Sequence, residues 1–99
     1  MNDTNIIVIA EAEIKDGMVE EVLPQLEALV ESTRKEPGCI EYNLHRDLEN
    51  EKVFMFYEVW ESKAHLETHI EQPPLQNLLA RQEQWFAGPL TARSYCKVR

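Results

Sequence analysis

An extended segment with apolar side chains on both faces is hard to place in a small protein. Residues 53–61, VFMFYEVWE, are such a segment. Their aromatic and β-branched content reads as a strand, in which successive side chains alternate between faces. Val53, Met55, Tyr57 and Val59 fall on one side, and Phe54, Phe56, Glu58 and Trp60 on the other. A strand of this kind is covered on both sides. The chain has 99 residues, enough for one domain over 1–99. At that size only about 60–65% of the unfolded surface is buried, and one helical layer covers one side. A second copy of the chain supplies the other, so a homodimer is expected.

The remaining elements assemble around this strand. IIVIAEAEI (6–14) is β-branched and then alternates, and Asp16-Gly17 turns the chain. Met18, Val19, Val22, Leu23, Leu26, Leu29 and Val30 repeat with helical period. Pro24 interrupts that stripe, which predicts a kink or a late helix start. KEPG (35–38) closes the helix, with Gly38 suited to a left-handed turn. CIEYNLHRD (39–47) alternates again, with Ile40, Tyr42 and Leu44 opposite Cys39, Glu41, Asn43 and His45. LENEK joins it to 53–61 as a hairpin. Ser62 suits an N-cap for a helix over 63–71, halted by Pro73-Pro74. A further helix carries Leu75, Leu78, Leu79, Trp85 and Phe86, and LTARSYCKV (90–98) is a last strand. The order β-α-β-β-α-β, with a split second helical region, is an α+β ferredoxin-like plan.

Composition removes several function classes. Hydrophobic residues make up 43% of the chain, which suits a folded globule. A formal net charge of −8 opposes nucleic acid and anionic membranes, and no basic cluster offsets it. No apolar run is long enough to span a bilayer, and Met1-Asn2-Asp3 lacks the basic start of a signal peptide. Cys39 and Cys96 have no zinc-type spacing and read as two buried thiols in a reducing cytoplasm, with a disulfide the minor alternative. The three glycines form no phosphate loop, and no flavin, nicotinamide or nucleophile-elbow fingerprint occurs.

Candidate chemistry gathers in YEVWESKAHLETHIEQPP (57–74). His65 and His69 share a helix face, but no third ligand completes a recognisable metal motif, so no metal site is expected. On a helical wheel Leu66 and Ile70 mark the buried centre. His69 lies about 60° from Leu66 and His65 about 100° away, toward solvent. His69 is thus either a border histidine bonded to a carbonyl or a pocket base. Glu58 sits between Phe56 and Trp60 and requires a partner. Either Arg46 or Arg93 pairs with it across the sheet, or it is an acid/base group with a raised pKa. Trp60, Phe54 and Phe56 suit a core or a ligand platform. Asn43 and His45 share a face and converge with Glu58 or Tyr57 if the register allows.

EPGCIEYNLHRD and FYEVWESKAHLETHIEQP together resemble the pattern of the antibiotic biosynthesis monooxygenase family, near its small quinol monooxygenase members. The most specific part is E-x-W-E-S-x-A-H-L-E-x-H over 58–69, and the resemblance spans almost the whole chain. It implies a dimeric α+β barrel, with two four-stranded sheets face to face and helices outside. It also implies a pocket in each subunit, where O₂ reacts with a phenol or quinol without metal, flavin or haem. On that reading Trp60, Phe54 and Phe56 bind the aromatic substrate, and His69, helped by Glu58 or Tyr57, accepts its proton. The chain departs from the family at Pro73-Pro74-Leu75, where members commonly read Pro-His-aromatic. Haem-degrading relatives place a histidine and an asparagine where this chain has Leu79 and Ala10, so haem cleavage is not implied.

Two other functions fit the same fold. One is an isomerase of small oxygenated metabolites, which needs only acid/base residues. The other is a protein that sequesters an aromatic compound without turnover, a reading the loss of the usual histidine at position 74 favours.

Overall fold

The computed structural model describes residues 5–99; Met1-Asn2-Asp3, considered above for a signal-peptide start, lie outside them. Eight elements follow in order: β1 (Ile6–Glu13), α1 (Val19–Thr33), β2 (Cys39–Arg46), β3 (Val53–Trp60), α2 (Lys63–Ile70), α3 (Pro73–Ala80), α4 (Gln82–Trp85) and β4 (Thr91–Cys96). The strands form one antiparallel sheet in the order β2-β3-β1-β4. This is the ferredoxin-like arrangement expected from the sequence. Among the described residues no helix is long and apolar enough to cross a membrane.

Register decides what each face carries. β3 lies between β1 and β2, with Glu58 opposite Val8 on one side and Tyr42 on the other. Phe54, Phe56, Glu58 and Trp60 are buried beneath the helices, together with Val8, Ala10 and Ala12 of β1. α1 seals that layer with Val22, Leu26, Leu29 and Val30. Trp85 and Phe86 close one end, where Ile14 bridges to Phe86. The opposite face carries Ile7, Ile9, Met55 and Tyr57, half-buried and without a helix over them.

Local chemistry explains where the elements break. α1 runs through Pro24 as one helix from Val19 to Thr33, so the proline neither delays nor divides it. Pro73 and Pro74 occupy the first turn of α3, where a missing N–H has no intrahelical partner to lose. The helical region expected over Leu75–Phe86 breaks at Arg81, which caps α3 and precedes α4. In β2 a register shift falls between Cys39 and Glu41. Ile40 is consequently 48% exposed and does not join Tyr42 on the buried face. The cysteines are free thiols on the two outer strands; Cys39 is half-buried and Cys96 exposed, which corrects the expectation of two buried thiols.

Candidate active site

Between sheet and helices lies a cavity of about 210 Å³. It exists because the covered face carries small side chains at matched positions. Ala10 pairs with Ala92, and Val8 with Ser94, across β1 and β4. Leu66 and Ile70 of α2 and the leucines of α3 roof it. Among the described residues its lining is largely apolar, the polar groups being Glu58, His69, Tyr42 and Ser94, with no lysine or arginine. Leu79 and Ala10, which stand at the haem-degrading relatives' functional positions, also face it.

His69 is the buried residue of α2, at 2% exposure, whereas Ile70 is 42% exposed. The wheel therefore misplaced the centre of the buried stripe. The reason is that both demands of an imidazole are met inside. Its ring stacks on the Trp60 indole at 4.5 Å and a 30° tilt. The Tyr42 ring stands edge-on to it at 5.5 Å. Its Nδ1 lies 2.8 Å from Glu36 Oε1. Aromatic contacts of this kind add about 0.5–1.5 kcal/mol beyond area burial. Burial holds the imidazole below the usual histidine pKa, although the Glu36 carboxylate opposes that shift.

Glu58 is only 5% exposed and accepts a hydrogen bond from Trp60 Nε1–H at 2.9 Å. Neither arginine expected beside it is there. The Arg46 guanidinium lies over the Phe54 ring at 4.9 Å. Arg93 pairs in register with Ile9, on the uncovered face. Desolvation raises the Glu58 carboxyl to about 7, with the Trp60 hydrogen bond working against it. A carboxyl near 7 and an imidazole whose neutral form burial favours, both facing the cavity and joined through Trp60, are groups able to give and take protons there. Tyr42 is the opposite case: burial pushes its phenol far above the ordinary tyrosine value, so it stays protonated.

Of the residues expected in the site, His69, Glu58 and Phe56 line the cavity. Trp60 lies behind it, fully buried, and joins Glu58 to His69 by its N–H and its ring. Phe54 belongs to the core under Arg46 and does not line the cavity. Tyr57, Asn43 and His45 do not reach it. Tyr57 pairs with Asn43 and Met55 with His45 on the uncovered face, because the pleat separates them from Glu58 and Tyr42 by one residue. His65 turns to Ser62, its Nδ1 2.8 Å from the hydroxyl that also caps α2. The two histidines thus turn their Nδ1 atoms to different partners, Ser62 and Glu36, and no group of three metal-ligating side chains occurs among the described residues.

Sequence reasoning missed Glu36 and Tyr42. Glu36 lies in the KEPG loop that reads as a helix stop, and Tyr42 reads only as one step of an alternation. The signal for the cavity itself was present in Ala10, Ala92 and Ser94, small residues at strand period in two segments.

A sequence model of antibiotic biosynthesis monooxygenases matches residues 5–81. The chain belongs to the antibiotic biosynthesis monooxygenase family. Within it, the chain is 29% identical over 93 residues to the uncharacterized protein sll1783 of Synechocystis, covering 94% of this chain and 63% of that protein. It thus spans under two thirds of that relative's length. It is 28% identical over 85 residues to the Bacillus subtilis protein named "Putative monooxygenase YcnE", covering 86% of this chain and 90% of that one. A crystal structure titled antibiotic biosynthesis monooxygenase superposes with a TM-score of 0.89 at 31% identity, over 95% of this chain and 99% of the other.

Proposed function

We propose that this family member oxidises a small, neutral hydroxyaromatic molecule of the quinol type with O₂, without a bound cofactor. The observation that carries the reading is the apolar cavity of about 210 Å³, whose ionisable lining groups are Glu58, His69 and Tyr42. An apolar cavity of ~150 Å³ holds benzene, so this one suits a substituted single ring. A carboxylate, sulfonate or phosphate on the ligand would find no cation among the lining residues.

The chemistry needs little from the protein beyond binding and proton movement. A quinolate is itself a reductant. One atom of O₂ enters the ring, the other leaves as water, and a quinol becomes a hydroxyquinone, so the substrate supplies all four electrons. His69 accepts the hydroxyl proton, and Glu58, its carboxyl raised to about 7, exchanges protons with the developing product. Trp60 fixes both groups rather than acting as an open platform. Pro74, in the first turn of α3, does not line the cavity, and the scheme uses no second histidine.

The same reading includes a homodimer. Ile7, Ile9, Met55 and Tyr57 on the helix-free face, with Tyr95 of β4 at 44% exposure, form an apolar surface suited to a second sheet. Free thiols at Cys39 and Cys96 suit a reducing cytoplasm.

Oxygen uptake with methyl-substituted hydroquinones in metal-free buffer tests the proposal. Uptake that His69→Gln abolishes supports it. Turnover under anaerobic conditions would point instead to an isomerase, and tight binding with no uptake to a sequestering protein.

A further inference from the structure

Both histidines of α2 grip the same loop, residues 34–38 between α1 and β2. Backbone bonds set its path: Glu36 N–H donates to Thr33 O at 2.9 Å, Cys39 N–H to Glu36 O at 3.2 Å, and Glu61 N–H to Gly38 O at 2.9 Å. Gly38 adopts φ +81°, and the His65 ring occupies the space where a Cβ would stand. One helical turn further, His69 Nδ1 meets Glu36 Oε1 at 2.8 Å, with side-chain exposures of 2% and 16%. This bond is sheltered from water, and Trp60 and Tyr42 hold the imidazole plane around it.

A carboxylate oxygen accepts, so the proton of this bond belongs to Nδ1. In the neutral ring the acceptor lone pair is then on Nε2. Nε2 has no hydrogen-bond partner among the described residues, while His69 lines the cavity.

We propose that Glu36 is the positioning residue of this site, holding His69 as the Nδ1–H tautomer so that Nε2 is the proton acceptor for a hydroxyl bound in the cavity. The assignment of that hydroxyl rests on the quinol-type reading above. Glu36 does not line the cavity; its contact with the site is the bond to His69, and its charge adds a smaller upward push to the Glu58 carboxyl. The O–H bond of the ligand breaks, its proton moves to Nε2, and the resulting imidazolium keeps its Nδ1–H on the carboxylate, a charge-assisted bond. An imidazole without that anchor favours Nε2–H in water, which presents a donor where an acceptor is required.

Histidine-selective ¹⁵N NMR on the full chain decides this, with His69 assigned by its loss in His69→Gln. The wild-type protein is expected to show neutral His69 protonated at Nδ1 at pH 7.5, and its Nε2 resonance is expected to move when methylhydroquinone is added. Glu36→Ala, checked for fold by near-ultraviolet circular dichroism, should convert the ring mainly to Nε2–H. It should also lower kcat for oxygen uptake roughly ten-fold or more, with KM changed less than about two-fold. Wild-type His69 protonated at Nε2 overturns the proposal without recourse to any variant. So does an unchanged tautomer in folded Glu36→Ala, or an Nε2 resonance that methylhydroquinone leaves in place. An Nδ1–H ring that responds to the ligand in a protein showing no oxygen uptake supports Glu36 as positioning residue and removes the oxidation reading alone.

Discussion

The two faces of β3 are built from neighbouring residues and serve opposite ends. Under the helices, Phe56, Glu58 and Trp60 are nearly inaccessible, and the one charged group among them is bonded to an indole N–H. On the other side, Met55 and Tyr57 are half-exposed beside Asn43 and His45, with no helix over them. The difference teaches that burial, not polarity, makes the chemistry. A carboxyl moved into the dry layer becomes a proton exchanger near 7. The apolar residues of the other face carry no ionisable group into a dry layer and have no such consequence.

The sharpest way to break this contrast is to substitute an aromatic on each face. Trp60→Ala should cost about 3–5 kcal/mol in denaturant unfolding, because it empties a fully packed position. A loss below about 1 kcal/mol would contradict its place in the core. Next comes the buried carboxyl. Since folding raises the Glu58 pKa from 4.5 to about 7, its stabilising contribution is intact below about pH 4.5 and is lost as pH rises through 7. Glu58→Gln should therefore raise stability by up to about 3 kcal/mol at pH 8 and leave it nearly unchanged at pH 4. Thermal melts across that range check the sign. His69 runs the other way: its pKa is lowered, so its contribution disappears as pH falls below the unfolded value of 6.5. That acid-side loss should survive in Glu58→Gln.

Ligand charge gives a smaller effect. Hydroquinone sulfonate should bind at least about ten-fold more weakly than methylhydroquinone in calorimetry, near 1.4 kcal/mol. Equal affinity would move the binding site away from this cavity. The smallest effect on the protomer belongs to the uncovered face. Tyr57→Glu should change protomer stability by about 0.5 kcal/mol or less. Sedimentation should nevertheless show a dimer for the wild-type chain at micromolar concentration and a monomer for the variant. A wild-type monomer there would remove the homodimer.

Much of the fold was legible in the chain. The two-sided apolarity of 53–61, the period of α1 and the punctuation at Gly38, Ser62 and Pro73 specify a four-stranded sheet with one helical layer, since each is local chemistry. The site was legible only in part. Alternation already separated Glu58 from Tyr57, yet which of the two faced a cavity depended on where the helices packed. Asn43 and His45 shared a face in the sequence, and register then set that face on the side away from Glu58.

What the sequence by itself determined, then, was the set of elements and the alternation of side chains along each strand, because backbone geometry imposes both within a few residues. Tertiary structure alone decided that His69 is buried while Ile70 stays partly exposed at the cavity roof, that Trp60 ties Glu58 to the imidazole, and that Glu36 reaches it from 33 positions away. Those outcomes depend on contacts between residues distant in the chain, where satisfying one buried polar atom outweighs the local preference of an apolar neighbour.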